Sequence, residues 1–229
     1  MIQHLLFDLD GTLIDTWRLY MEAYRRTFEA WFQRPFQETD TLQLLGLRPR
    51  SETWLLKQML GEGEHGDAFA LFLDHYRRLH ETLFDGPYTG VPAMLQALRQ
   101  GGYRLGIVTG KSREAWRVTE PKAALVPFDV VITESEVAQP KPDPEGILAA
   151  TAALRARPDT AVYIGDSLLD GEAATAAGLP FWAATWAKSQ DERDAFIAGA
   201  RARGATQILT TPTDVLAALP RPDRTAPRT

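Results

Sequence analysis

The residues in this sequence best suited to chemistry are acids that recur in pairs at the ends of short apolar runs. Phe7-Asp8-Leu9-Asp10-Gly11-Thr12-Leu13 closes the first run. With each residue type near one in twenty, a chance Asp-x-Asp-Gly-Thr in this length has odds of about one in a thousand. On an extended backbone Asp8 and Asp10 lie on the same side. Two carboxylates placed so repel unless a cation or a proton compensates them. Gly11 permits a sharp exit that leaves both exposed at the strand tip. The competing reading of Asp-Gly is an Asx turn that ends a strand. A second pair closes Val162-Tyr163-Ile164-Gly165-Asp166-Ser167-Leu168-Leu169-Asp170-Gly171. Asp166 falls at a strand tip and Asp170 one helical turn later, and helix capping by Asp166 or Ser167 is the alternative there.

Two further stretches add donors and positive charge. Gly106-Ile107-Val108-Thr109-Gly110-Lys111-Ser112 ends an apolar run with a hydroxyl, a glycine and a helix start. Backbone amides at a helix start favour an anion, and Thr109 can add a donor. Ser112 taken alone reads as an N-cap. Gln139-Pro140-Lys141-Pro142-Asp143-Pro144 holds one lysine in a loop stiffened by prolines. It is either a fixed positive charge for phosphate or carboxylate, or a solvated lysine ahead of a helix. Converging carboxylates suit a hard cation such as Mg2+, which takes one or two carboxylates with waters and phosphate oxygens.

The elements that must position these groups are short strands alternating with helices. Strands are expected over 5–9, 105–109, 130–133, 162–165 and 181–184, with a weaker one at 207–209. Helical patterns fall at 92–100, 112–122, 144–155 and 168–177. That alternation predicts parallel βαβ units in a Rossmann-like α/β sheet, with the strand ends on one edge, where ligands bind. The first two strands are separated by about ninety residues, far more than one crossover requires. Within that gap Trp17, Tyr20, Tyr24, Phe28 and Trp31 recur on one helical face, and Phe69, Phe72, Leu73, Tyr76, Leu79 and Leu83 on another. Gly61-Glu62-Gly63-Glu64 and Gly86-Pro87 punctuate it. The expected organisation is an α/β core from 1–15 and 86–220, an inserted helical unit at 16–85, and a frayed tail at 221–229.

Composition narrows the partners. The 229-residue chain carries 25 Lys and Arg against 30 Asp and Glu, a net charge of −5. No strongly basic footprint for nucleic acid or polybasic membrane tether is present. A single anion-binding site is still compatible, because the local field outweighs the net charge. The absence of cysteine excludes disulfides, thiolate metal sites and a cysteine nucleophile. No apolar run reaches 18 residues, and no signal-peptide pattern opens the chain, so a soluble cytoplasmic protein is expected.

The four stretches, in this order, resemble the motifs of the haloacid dehalogenase superfamily, in particular its phosphatases with a small helical cap inserted after the first motif. The likeness spans nearly the whole chain. It implies that Asp8 is a nucleophile forming an aspartyl-phosphate and that Asp10 is the general acid and base. It further implies that Thr109, Gly110 and Lys141 position the phosphoryl group. Asp8, the backbone carbonyl of Asp10, and Asp166 would ligate Mg2+, with Asp170 supporting them from behind. The implied activity is hydrolysis of small phosphorylated metabolites, as in phosphoglycolate phosphatases. A phosphomutase of the β-phosphoglucomutase kind and a pyrophosphatase share the motifs, the latter through Thr109-Gly110-Lys111. A phosphate-sensing module without turnover would be expected to lack one of these groups. The assembly implied is a monomer or homodimer. Pro140 stands where relatives often have glycine and Glu172 where they usually have an aliphatic residue, which bears on the subfamily more than on the reaction.

Substrate choice would lie in the cap, where Arg48 and Arg50 in Gly46-Leu47-Arg48-Pro49-Arg50-Ser51 resemble a substrate loop that could clamp a second anionic group. Solvated arginines are the alternative. His75, Arg77, Arg78 and His80 read as a solvated helix face, and His4 is given no functional role. Trp116, Trp182 and Trp186 read as packing residues, with Trp17 as a candidate for the substrate chamber.

Overall fold

The structure is a computed structural model that describes residues 1–47, 50–63 and 65–219. In chain order it contains β1 (His4–Phe7), β2 (Ile14–Asp15), α1 (Trp17–Phe32), α2 (Glu38–Gly46), α3 (Glu52–Leu60) and α4 (His65–Leu83). There follow β3 (Gly86–Pro87), α5 (Val91–Gln100), β4 (Arg104–Val108), α6 (Arg113–Thr119), β5 (Val130–Ile132) and α7 (Glu145–Leu154). The last elements are β6 (Ala161–Gly165), α8 (Leu168–Ala176), β7 (Phe181–Ala184), α9 (Gln190–Ala202), β8 (Ala205–Leu209) and α10 (Asp214–Ala218).

Six strands form one parallel sheet in the order β5-β4-β1-β6-β7-β8. Alternation along each strand assigns its side chains to two cores. Leu5 and Phe7 of β1, with Val162 and Ile164 of β6, face Met94, Leu95, Trp116 and Val215. Leu6 and Tyr163 face the opposite way, toward Ile147, Ala150, Ala173 and Phe196. Burial on both faces explains why these strands read as continuous apolar runs without a polar alternation. All six expected strands are present, shifted by a residue or two at their ends. The strand order reverses at β1, with β4 on one side and β6 on the other, the position in open α/β sheets where ligands bind beyond the strand ends.

Helices α1 to α4 lie between β2 and β3 and enclose a third core of Leu19, Ala23, Tyr24, Phe28, Phe72, Tyr76 and Leu79. Tyr24 and Phe72 stack across α1 and α4 at 4.7 Å. The chain enters and leaves this unit side by side, because β2 pairs antiparallel with β3 through Ile14 with Pro87 and Asp15 with Gly86. The Gly86-Pro87 breaker is thus also a two-residue strand.

Several expectations need correction. Trp17 is 61% exposed and lies outside the aromatic core, because it is the first residue of α1. It lines a surface cleft with Met21, Phe36 and Leu83. Of the expected solvated face on α4, Arg77 and Arg78 are exposed, but His75 is half-buried and His80 buried. His80 stands four residues after Tyr76, on the same inward stripe. His4 is buried at the start of β1. Trp116 and Trp182 are buried in the core and Trp186 packs against it, as expected. Helices α9 and α10 had no counterpart in the sequence reading. Helix α9 buries only Phe196 and Ala200, so its apolar period is faint, although Ser189 and Glu192 form a reciprocal capping box at its start. The expected tail at 221–229 and Arg48 lie outside the described residues. No helix among the described residues is long and apolar enough to cross a membrane.

Candidate active site

Phe7 pairs with Ile107 on one side and Ile164 on the other, so Asp8 emerges between β4 and β6 at the point of reversal. Its amide still donates to Ile164 O at 2.8 Å, after which the chain turns back, with Leu13 N donating to Leu9 O at 2.8 Å. Gly11 makes this turn at φ +86°, and a Cβ there would lie 2.6 Å from Asp166 Oδ2. A side chain at Gly11 is excluded both by backbone conformation and by the carboxylate pressed against it. Asp166 follows the last residue of β6, and Ser167 rather than Asp166 caps α8, accepting from Asp170 N.

Lys141 is the hinge of the arrangement. Its Nζ donates to Asp8 Oδ1 at 2.7 Å, to Asp170 Oδ1 at 2.7 Å and to Tyr163 OH at 3.2 Å. The side chain is only 11% exposed, which rules out the solvated-lysine reading. Asp170 is fully buried, and its Oδ2 accepts from Ser167 N at 2.9 Å and Ser167 Oγ at 2.7 Å. Both its oxygens are therefore committed to protein donors. Asp166 accepts from Thr12 Oγ1 at 3.2 Å and from Lys188 Nζ at 2.5 Å. Asp8, Asp166 and Asp170 each offer an oxygen within 4.8 Å of the others. A set of hard oxygens is the donor chemistry that Mg2+ prefers. Asp166 is committed in the same way, to Thr12 and Lys188, and the three carboxylates together are a group that could hold such a cation.

Asp10 faces a different group. Thr16 Oγ1 donates to Asp10 Oδ1 at 2.6 Å, and Lys111 Nζ stands 3.2 Å from the same oxygen. The Lys111 side chain is fully enclosed, donating to Tyr20 OH at 2.6 Å and Tyr76 OH at 2.9 Å from the helical unit. Glu52 of α3 accepts from Tyr20 OH and from Ser112 N at 3.1 Å. Glu134 accepts from Thr53 Oγ1 at 2.9 Å, and Glu52 N donates to Gly110 O at 3.2 Å. A Cβ on Gly110 would lie 2.4 Å from Arg50 O. The start of α3 thus rests directly on the loop that follows β4, covering Thr109 and Gly110. Thr109 Oγ1 accepts from Lys111 N at 3.1 Å, and Ser112 caps α6 by accepting from Ala115 N. The Arg50 side chain is exposed, its guanidinium 5.1 Å above the Trp54 ring.

Burial raises Asp8 to about 8, against the pull of Lys141 and with the push of Asp170 and Asp166. Burial also raises Asp166, opposed by Lys188. For Lys141 burial works against the charge, but Asp170 and Asp8 outweigh it and hold the ammonium well above the usual lysine range. Glu134 is pushed up to about 7 by burial and by the neighbouring Glu52.

Residues 5–184 match the model of the haloacid dehalogenase-like hydrolases. The chain belongs to that family. It is 32% identical over 186 residues to the pyrophosphatase PpaX of Bacillus velezensis, covering 80% of this chain and 82% of the relative. PpaX of Halalkalibacterium halodurans is 31% identical over 170 residues, covering 74% and 77%. Among solved structures, CbbY of Rhodobacter sphaeroides, bound to phosphate, superposes with a TM-score of 0.76 at 23% identity over 94% of this chain and 96% of that one. A haloacid dehalogenase-superfamily hydrolase of Geobacter sulfurreducens gives a TM-score of 0.59 at 27% identity over 80% and 87%. The haloacid dehalogenase-like core and the phosphatase class expected from the motifs both hold.

Lys141 bonds Asp8 and Asp170 together, Asp166 lies within 4.8 Å of both on its own bonds to Thr12 and Lys188, and Asp10 stands on Lys111. Lys188, Glu52, Glu134 and Tyr163 were missed. Tyr163 is hidden in a strand motif, and its only signal is a hydroxyl among aliphatic residues. Lys188 and the two glutamates carry no local pattern, since their neighbours come from distant parts of the chain.

Proposed function

We propose that the protein is a Mg2+-dependent phosphatase of small phosphorylated compounds that works through an aspartyl-phosphate on Asp8. The observation that carries this reading is Asp8 at the point of strand reversal, its Oδ1 held by Lys141 at 2.7 Å within the same cluster as Asp166. Asp8, the backbone carbonyl of Asp10 and Asp166 would hold the cation, whose chemistry is to neutralise charge on the transferring phosphoryl oxygens. In the first step an Asp8 oxygen bonds to phosphorus, the bond to the leaving oxygen breaks, and Asp10 gives that oxygen its proton. In the second step Asp10 takes a proton from water as the water oxygen attacks the phosphorus of the acyl phosphate, which frees Asp8. Lys141 fixes Asp8 and supplies positive charge beside the phosphoryl group, with Thr109 and Gly110 on the neighbouring strand end.

A second reading, pyrophosphate as the substrate, is favoured by the two PpaX relatives and by a buried ammonium, Lys111, 3.2 Å from Asp10, the residue read as the acid for the leaving group. Phosphate release from a panel of sugar phosphates, 2-phosphoglycolate and pyrophosphate, with and without Mg2+, separates these readings. Asp8→Asn should abolish turnover on every substrate. Metal-dependent hydrolysis surviving in that variant would end the proposal.

A further inference from the structure

Lys188 lies outside the four motifs, yet it reaches the centre of the site. It sits between β7 and α9, and its Nζ contacts Asp166 Oδ2 at 2.5 Å while Thr12 Oγ1 holds Oδ1. Its backbone is anchored: Lys188 N donates to Thr185 O at 3.0 Å, and an Arg193 guanidinium nitrogen donates to Lys188 O at 3.3 Å. The loop is tied to the catalytic turn by Trp186 Nε1, which donates to Thr12 O at 2.9 Å. The side chain itself has room, being 22% exposed, with the ammonium 5.3 Å from the centre of the Phe196 ring on α9. So the loop is fixed, while the side chain keeps an opening to solvent.

We propose that Lys188 is a tethered counter-cation that shares Asp166 with the divalent metal, so that metal binding must displace the lysine and Lys188 weakens the metal site. The inference rests on the reading of Asp8 and Asp166 as metal ligands. Any cation that takes an oxygen of Asp166 lands beside the ammonium already bonded to that carboxylate. Two like charges at that spacing in a partly buried site repel strongly. Without a metal the same ammonium is favourable, because it compensates a buried acid close to Asp8 and Asp170. Lys188 therefore stabilises the metal-free protein, while the metal-loaded protein gains nothing from that contact. The solvent that reaches the partly exposed side chain gives the displaced ammonium a place to go.

The test is calorimetric titration of Mg2+ into the metal-stripped full chain, for wild type, Lys188→Met, Lys188→Gln, Lys188→Arg and Asp166→Asn, with thermal melting of each in EDTA and in saturating Mg2+. Wild type should bind Mg2+ and Asp166→Asn should lose that binding. Lys188→Met and Lys188→Gln should bind on the order of tenfold more tightly, since they remove a competing unit charge. Lys188→Arg, which keeps the charge, should stay near wild type. In EDTA the Met and Gln variants should melt below wild type, and in Mg2+ that deficit should shrink or vanish. If wild type binds Mg2+ through Asp166 but both uncharged variants bind no more tightly, the lysine inference alone falls. Weaker phosphate binding with unchanged Mg2+ affinity would also overturn it, making Lys188 a substrate contact. If neither wild type nor the uncharged variants bind Mg2+, the metal reading fails and takes this inference with it.

Discussion

Replacing Asp170 by asparagine should release Lys141 from its place at the sheet edge. Asp170 is fully buried and every group it touches is a donor: Lys141 Nζ and Tyr163 OH on Oδ1, and Ser167 N and Oγ on Oδ2. Asparagine has one acceptor oxygen and an NH2 group. Whichever way it turns, its NH2 must face a donor. If the oxygen stays on Ser167, which preserves the helix cap, the NH2 abuts the ammonium of Lys141. A charge-assisted hydrogen bond worth about 1.5–3 kcal/mol is lost, and a buried ammonium is left with Asp8 as its remaining carboxylate. In a chain of this length each kcal/mol lowers the melting temperature by roughly 2–4 °C, so a loss of about 2–3 kcal/mol corresponds to roughly 4–12 °C.

The effect on turnover follows from the same contact. Lys141 is held to Asp8 and Asp170 at equal distances of 2.7 Å, so loss of one partner loosens the group that fixes the nucleophile. Partners that orient active-site ligands typically cost on the order of 10–100-fold in activity when removed. Ser167→Ala is the control. It removes the cap at a cost of about 1 kcal/mol but leaves the charge of Asp170 on Lys141, so activity should stay close to wild type. Thermal unfolding and kcat/KM on the preferred phosphate substrate read out both variants. Asp170→Asn within about 0.5 kcal/mol of wild type and fully active would refute the idea that this carboxylate positions the lysine.

Other perturbations probe separate parts of the argument. Gly11→Ala forces a left-handed residue at about 1–2 kcal/mol and drives a methyl into the Asp166 carboxylate, so both melting temperature and kcat should fall. Thr119→Val removes the hydroxyl bonded to Tyr76 OH at 2.7 Å and His80 Nε2 at 3.2 Å, and urea unfolding should show a loss of about 1–3 kcal/mol. Glu134, with its pKa raised to about 7, binds a proton more tightly folded than unfolded. Its contribution to stability is full below its unfolded pKa near 4.5 and disappears as pH rises through about 7. Glu134→Gln should therefore flatten the decline in stability between those pH values, and parallel stability curves for the two proteins would contradict this.

The sequence was legible where local pattern and global position agree. The central strands β1, β4, β6 and β7 are buried on both faces, so they appear as apolar runs, and the motifs of Asp8, Thr109 and Asp166 end such runs while Lys141 lies in the loop before α7. That agreement placed Asp8, Asp10, Asp166 and Asp170 correctly at the sheet edge without any knowledge of the packing. Lys141 was ambiguous, because a proline-bounded loop looks the same whether its lysine points at solvent or at a buried pair of acids. The α4 face was misread because helical phase, set by Tyr76, overrides the polarity of His80. Glu52 and Lys188 were invisible for a further reason. A buried charge is tolerated only beside its partner, and here the partners, Ser112 and Tyr20 for Glu52 and Asp166 for Lys188, are supplied by tertiary contact alone.

The charges at the site form an economy of their own, distinct from the −5 of the whole chain. Asp8 and Asp170 share Lys141, Asp166 holds Lys188, and Asp10 holds Lys111. Four carboxylates against three ammonium groups leave one net negative charge if all are ionised. A phosphate dianion entering that field would be repelled, however well Lys141 is placed. Addition of one divalent cation brings the sum to +1, or to zero once Lys188 has moved outward from Asp166, so in either case the net negative charge is removed. The lysines thus hold the acids together in the metal-free protein without making the site attractive to anions, and the cation lifts the repulsion. On this reading phosphate affinity should depend on Mg2+ more steeply than it depends on any single lysine other than Lys141.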